Sequence, residues 1–313
     1  MKKTNKTVIA ICGPTASGKT ALAVEIAKHL DTEIISADSR QIYKEFNIAV
    51  AKPSKEEMQG IKHHFIDIID PREEYSVADF ASQAEKVIEN LFDSGKIPIV
   101  AGGTGLYFRI LLENYDMPKV APNKELRQKL HDLEKEQGAQ ALHSILAKLD
   151  PVLAAGMHPN NTVKIIRAIE VCKTLGIPMS QAQKKKEPKY NVKWFGLGHL
   201  NGEDRQFLYN RTDKRVDIML EQGLENEAKN LYEKYGNIQS LQKTIGYQEF
   251  INYFENKITY IECVEKIKQN TRRYAKRQLT WFRKNEEINW MDIKDSSPQC
   301  CADDILKILE NSL

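Results

Sequence analysis

The stretch Gly13-Pro14-Thr15-Ala16-Ser17-Gly18-Lys19-Thr20 constrains this chain more than any other. It matches G-x-x-x-x-G-K-[ST] without mismatch. It follows the apolar run TVIAIC (7–12) and opens a helical pattern over 18–30, the context that this loop requires. The glycines let backbone N–H groups face an anion, and the helix N-terminus adds a favourable dipole. Lys19 supplies a point charge, and the Thr20 hydroxyl can ligate Mg²⁺. The loop points to a phosphorylated ligand and leaves open which one.

The runs TVIAIC (7–12), EIISAD (33–38), FIDII (65–69) and IPIVAGG (97–103) are short, β-branched and closed by Gly, Asp or Pro, as buried parallel strands are. Helical patterns alternate with them. Residues 18–30 place Ala21, Leu22, Ile26 and Leu30 on one side. Residues 76–94 start with a capping-box variant at Ser76 and Asp79 and run through Phe80, Ala84, Val87 and Leu91. The alternation predicts an α/β fold: an open, doubly wound parallel sheet flanked by helices, like that of P-loop NTPases.

After about residue 115 the pattern changes. Residues 123–186 show no convincing strand. Asn123 can cap a helix bearing Leu126, Leu130 and Leu133; Asp150-Pro151 reads as a cap with Pro at the first helical position; Asn161 can cap a helix ending near Gly176. The reading is a core over 1–115, a helical insertion over 116–190, and the rest of the core over 191–313. KKKEPKYNVK (184–193) is a polar hinge, and VKWFGLGHL (192–200) returns to the sheet. The C-terminal third is helical, with a long helix opened by the capping box Thr259-x-x-Glu262.

A net charge of +3 over 313 residues excludes a chain that is basic throughout, so any nucleic-acid surface must come from local clustering. No apolar run approaches the roughly 20 residues that span a bilayer. Five cysteines without metal-ligand spacing suit a reducing cytoplasm. The adjacent Cys300 and Cys301 read as an incidental surface pair, and His63-His64 as no metal site, since neighbours on a strand face opposite ways. We expect a cytoplasmic monomer, off the membrane.

A nucleoside triphosphatase adds an acidic residue at the end of a second core strand. IPIVAGGT ends instead in glycines and Thr104. EIISAD does end in a carboxylate, Asp38, and strand carboxyl ends line the ligand crevice of such sheets. Asp38 equally suits an N-cap for a helix DSRQIY, so both readings stand. Residues 266–284, KIKQNTRRYAKRQLTWFRK, carry eight Lys or Arg and no acid, with Tyr274, Trp281 and Phe282 between them. Phosphate backbones need such a stripe and unpaired bases need planes to stack on, which favours nucleic acid. Trp281 itself fits the core better. Arg211 and Arg215, at i and i+4 near the start of a helix, could clamp an anion; from spacing alone, a surface helix paired with Asp213 or Asp217 explains them better.

These motifs resemble one family, the tRNA dimethylallyltransferases. The resemblance rests on GPTASGKT, ISADSRQIYKEFNIAVAKP (35–53), HHFIDIIDPREEYSVADF (63–80), PIVAGGTGLY (98–107), HPNNTVKIIRAIEV (158–171), RTDKRVDIML (211–220), IGYQEF (245–250) and AKRQLTWFRK (275–284), in order along nearly the whole chain. Ala49-Val50 stands where the family commonly has Gly-Thr, and the absence of a zinc-finger extension resembles the bacterial form. The resemblance implies transfer of a dimethylallyl group from dimethylallyl diphosphate to N6 of adenosine 37 in the tRNA anticodon loop, with release of diphosphate.

By the same resemblance Asp38 is the general base, Thr104 sits near the reacting amine, and Lys19 and Arg215 assist departure of the diphosphate. The diphosphate is held by Gly13, Pro14, Thr15, Ala16, Ser17, Gly18, Lys19, Thr20, Arg211 and Arg215, with Mg²⁺ on Thr20. The tRNA is met by Asp38, Ser39, Arg40, Gln41, Thr104 and Arg127, and by Val163, Lys164, Ile165, Ile166 and Arg167. It is also met by Lys243, Thr244, Ile245, Gly246, Tyr247 and Gln248, and by Lys276, Arg277, Gln278, Leu279, Thr280, Trp281, Phe282 and Arg283. The rival readings are a small-molecule kinase, a non-catalytic RNA switch, and a prenyltransferase of free adenine nucleotides. The last would need neither the insertion nor the basic helix.

Overall fold

A computed structural model of the chain describes residues 6–116, 118, 120–198, 205–294 and 296–310. In chain order the first elements are β1 (Thr7–Cys12), α1 (Lys19–His29), β2 (Ile34–Ala37), α2 (Lys55–Met58), β3 (His63–His64), α3 (Val77–Asp93), β4 (Ile99–Gly102) and α4 (Gly105–Leu111). There follow β5 (Tyr115–Asp116), α5 (Lys124–Gln137), α6 (Ala139–Leu149), α7 (Pro151–Ala155), α8 (Thr162–Leu175), α9 (Met179–Ala182) and β6 (Lys184–Lys185). The last group is β7 (Asn191–Gly198), α10 (Arg205–Glu221), α11 (Leu224–Tyr235), α12 (Gln239–Gln242), α13 (Tyr247–Phe254), α14 (Tyr260–Phe282), β8 (Asn289–Asp292) and α15 (Pro298–Glu310).

The chain divides into two compact units: Met1–Leu112 with Lys189–Leu313, and Glu113–Pro188. The first is an α/β unit around a six-stranded sheet of order β3-β2-β4-β1-β7-β8, with every pairing parallel. Its inner strands β1, β2 and β4 are buried on both faces, so they read as continuous apolar runs, whereas the edge strands β3 and β8 are at most half-buried. The period of two still divides their side chains. Val8, Ala10 and Cys12 join the core that includes Phe80, Phe108 and Phe282; Ile9 and Ile11 join the one under α1 and α15. The strand order turns outward at β1, so the loop that follows β1 opens into the crevice at the switch point.

Local chemistry explains several boundaries. Ser76 accepts from the Asp79 amide, and Asp79 reaches back to Ser76, which closes the capping box of α3. The same device at Thr259 and Glu262 opens α14. Gly13 has a φ of 148°, and a Cβ there would lie 2.5 Å from the Leu197 carbonyl oxygen, so β1 and β7 can close only around glycine.

The second unit is helical and has its own core around Leu130, Leu142, Leu146, Ile165 and Ile169. Asn123 accepts from the Leu126 amide and Asp150 from the Leu153 amide, each starting a helix; Asn161 stands at the N-cap of α8 without a side-chain bond. Gly176 ends α8 in the left-handed region.

Several expectations are corrected. FIDII (65–69) is not a strand: Phe65 and Asp67 have φ of 64° and 55°, which no ladder accepts, and only Ile69 bridges, to Tyr43. The neighbour of β2 is His63-His64 instead. DSRQIY forms turns, not a helix. Ala21 is exposed, and Ala23 and Ala27 take the inner side of α1. The polar hinge is largely structured: Lys184-Lys185 pairs antiparallel with Tyr115-Asp116, and Asn191 to Lys193 belong to β7. The end of the returning strand, His199-Leu200, lies outside the described residues. Arg211 and Arg215 sit within α10, not at its start. Cys301 is buried, so Cys300 and Cys301 are no surface pair. β8 and α15 were not expected.

Candidate active site

The loop after β1 wraps a cleft of about 640 Å³ in the α/β unit. Lys19 Nζ folds back on the Pro14 carbonyl and approaches Ser17 Oγ at 3.4 Å. Burial pulls its pKa down to about 8, against the charge of Asp38, which raises it. Burial also pushes the Cys12 thiol beneath the loop up to about 12, so it is inert. Two side chains fix the loop from outside. Arg211 Nε donates to the Ala16 carbonyl at 2.8 Å. Gln278 Oε1 accepts from the Thr15 amide at 2.8 Å, while its Nε2 donates to the Gly103 carbonyl at 3.0 Å.

Asp38 lies at the end of β2, on the cleft with Thr20, Gly103 and Arg215. Its Oδ1 accepts the amides of Arg40 at 2.8 Å and Gln41 at 3.4 Å. The capping alternative is thus half realised: Asp38 organises a turn rather than a helix. Oδ2 makes no hydrogen bond among the described residues. Thr104 is tied to the same turn, since its amide donates to the Ala37 carbonyl at 3.1 Å and its Oγ1 accepts from the Ser39 amide at 3.1 Å. Tyr274 of α14 stands beside them. Burial first, and the Asp38 charge second, hold its hydroxyl well above the ordinary value, so it stays a donor. In the sequence Tyr274 is marked only as one aromatic of the basic stripe, and its place on the cleft with Asp38 reveals the rest.

Arg215 lines the same cleft. Burial lowers its pKa, and the charge of Glu57 opposes that shift. Arg211 serves the loop backbone and faces the Phe207 ring at 5.7 Å. The Lys243 to Gln248 segment borders the cleft through Lys243, Thr244, Ile245, Gly246 and Gln248. Among the described residues no three His, Cys, Asp or Glu side chains gather as a metal site. Thr20 and Asp38 share the cleft, however, and Mg²⁺ commonly takes few protein ligands and completes its shell with substrate phosphate and water. The residues fit such an ion.

The basic helix is less uniform than its sequence. Arg272 pairs with Asp213 at 2.6 Å and Lys268 with Asp217 at 2.6 Å, so α10 relieves part of the charge. Arg273, Lys276, Arg277, Thr280, Arg283 and Lys284 remain exposed at intervals of three and four, on one face. Arg277 lies 5.8 Å over the Tyr274 ring.

Some residues expected at the RNA surface are placed inside. Gln278 and Phe282 are buried, the latter edge-on to Phe108; Tyr247, Ile165 and Ile166 are also core. Trp281 packs on Gly105, where a Cβ would lie 2.2 Å from the indole. In the helical unit, Arg127 makes a two-pronged bond to the buried Glu170, and Arg167 joins it. Their guanidinium groups therefore have a structural task. Val163 and Lys164 are exposed.

The family model described as IPP transferase matches residues 41–285. The chain belongs to the IPP transferase family. A tRNA dimethylallyltransferase of Bacillus subtilis (strain 168) is 44% identical over 296 residues, covering 94% of this chain and 93% of that one. One from Acetivibrio thermocellus is 46% identical, with 91% of each covered. Among solved structures, the full-length tRNA isopentenylpyrophosphate transferase of Bacillus halodurans aligns with a TM-score of 0.73 at 39% identity, over 98% of this chain and 96% of that one. A eukaryotic dimethylallyltransferase acting on tRNA aligns with a TM-score of 0.79 at 30% identity, over 98% and 79%. In this chain Lys19 and Asp38 border one cleft.

Proposed function

We propose that this chain transfers the dimethylallyl group of dimethylallyl diphosphate to N6 of adenosine 37 in the tRNA anticodon loop, releasing diphosphate, with Asp38 as general base. The observation that carries the reading is the shared cleft: the phosphate loop and Asp38 border it together, and β4 ends in Gly-Gly-Thr without a second carboxylate. A kinase of this fold would want that second carboxylate.

The exocyclic amine of adenine is a poor nucleophile because its lone pair is delocalised into the ring. As its N6 forms a bond to the allylic carbon, Asp38 Oδ2 accepts the proton. The bond from that carbon to oxygen breaks, and its electron pair leaves on the diphosphate. The loop amides, Lys19 and Arg215 stabilise the growing negative charge. Mg²⁺, when bound near Thr20, would offset the diphosphate charge further. Thr104 and Tyr274, which border Asp38, orient the amine. A stacked base cannot reach a cleft, so adenosine 37 enters it flipped out, while the exposed face of α14 meets the phosphate backbone. No described helix is long and apolar enough to cross a membrane. We place the activity in the cytoplasm, in a monomer.

Asp38→Ala tests the assignment. We expect tRNA affinity to hold while single-turnover transfer falls by about 100-fold or more. Turnover like that of the unaltered chain would remove Asp38 as the base.

A further inference from the structure

One carboxylate holds two walls of the cleft together. Glu227, on α11, accepts the backbone amides of Asn47 at 3.2 Å, Ile48 at 2.9 Å and Ala49 at 3.2 Å. The Tyr247 hydroxyl donates to the same carboxylate at 2.6 Å. Three consecutive N–H groups converging on an anion form a nest, and charge-assisted bonds of this kind are stronger than neutral ones. The segment that Glu227 holds runs on into the apolar Ala49, Val50 and Ala51, which border the cleft. Tyr247 begins α13, directly after Ile245 and Gly246, which border the cleft as well. The two segments are in close contact: a Cβ on Gly246 would lie 3.0 Å from the Ala49 Cβ.

The segment also leads back to the base. The Val50 and Ala51 carbonyls accept from Gln41 Nε2 at 3.3 and 3.1 Å, and the Gln41 amide donates to Asp38 Oδ1 at 3.4 Å. Glu227 itself does not border the cleft. It acts on the cleft only through what it holds.

We infer that Glu227 is a positioning residue that, by holding the amides of residues 47–49, fixes the apolar wall of Ala49, Val50 and Ala51, and thereby sets which allylic chain the cleft admits. The selectivity half of the inference rests on the prenyl-transfer reading above. A fixed wall rejects a longer chain by steric contact, and a wall free to retreat does not. Glu227→Gln removes the anion and turns an amide N–H₂ toward the donors. Tyr247→Phe removes one donor and keeps the carboxylate.

The test combines amide exchange with kinetics, using the full chain, unmodified tRNA, and dimethylallyl or geranyl diphosphate. In Glu227→Gln we expect faster exchange at Asn47, Ile48 and Ala49, with the amides of β1 unchanged. We expect kcat/KM for dimethylallyl diphosphate to fall about 100-fold, and the preference over geranyl diphosphate to narrow by about 10-fold. Tyr247→Phe should move both quantities the same way by less, and it serves if the Gln variant fails to fold. Unchanged exchange at 47–49, or an equal fall for both diphosphates, overturns the inference. If the unaltered chain transfers neither group, the prenyl-transfer reading and the selectivity claim fall together; faster exchange in Glu227→Gln would still support the clamp.

Discussion

The Thr15 amide donates to Gln278 Oε1, and that one bond joins the phosphate loop to the basic helix. Because Gln278 also holds the Gly103 carbonyl, the loop after β1, the end of β4 and α14 meet at one buried side chain. Gln278→Ala would strand a backbone donor and a backbone acceptor. We expect it to cost about 2 kcal/mol, read from the urea midpoint. KM for the diphosphate should rise as well, because the loop loses its outer support. A variant with unaltered stability and KM would show that water replaces the side chain without loss.

Lys19 gives the site a pH dependence. In the unfolded chain it keeps its proton to about pH 10.5, its ordinary pKa, and in the fold only to about 8. The charged form is therefore disfavoured by burial. That cost is present in full below pH 8 and lifts as pH rises from 8 towards 10.5. A bound diphosphate restores the charge, so binding takes up a proton above pH 8. Affinity for inorganic diphosphate should fall about tenfold per pH unit there, measured by calorimetry on either side of pH 8. Lys19→Met should bind weakly and without that slope.

Glu170 should anchor the helical unit. Burial alone would raise its carboxyl, but bonds from Arg127, the Asn123 amide and Arg167 outweigh it and hold the pKa at about 2. The depressed value means stabilisation that is full above the ordinary carboxylate range and fades as pH falls towards 2. Glu170→Ala takes the carboxylate partner from two guanidinium groups, which are 37% and 30% exposed and so partly rescued by water, while Arg167 keeps its bond to the Val120 carbonyl at 3.0 Å. We expect a loss of about 2–3 kcal/mol, measured by thermal unfolding near neutral pH.

The exposed face of α14 should read out in salt. Charge reversal at Arg273 and Arg277 should weaken tRNA binding and lower the slope of log affinity against log salt by about 2. Arg272→Glu should behave differently, because it breaks the pair with Asp213 and lowers stability first. Filter binding across a salt series separates the two.

The sheet was legible because parallel strands buried on both faces leave unbroken β-branched runs, as in Thr7–Cys12 and Ile99–Gly102. FIDII has the same composition and failed, since positive φ at Phe65 and Asp67 is a backbone property that hydropathy does not encode. β8 is hard to read because one of its four residues is exposed and three are only half-buried, whereas Ser297-Pro298 does spell a cap with Pro at the first helical position of α15. In the site, Asp38 and Lys19 announced themselves through a loop and a strand end. The roles of Tyr274 and Glu227, and the bonds of Gln278 to the loop, were not legible, because Asp38, Asn47 and Thr15 are far away in sequence and only the fold brings them near. The sequence also does not show that Arg127 and Arg167 both bond Glu170 between them.

The most direct test of the central claim gives labelled dimethylallyl diphosphate to the protein with unmodified tRNA and, separately, with AMP. Label should appear at N6 of adenosine 37 in the tRNA and not on AMP, with one diphosphate released for each label transferred. Label on AMP and none on tRNA would contradict it.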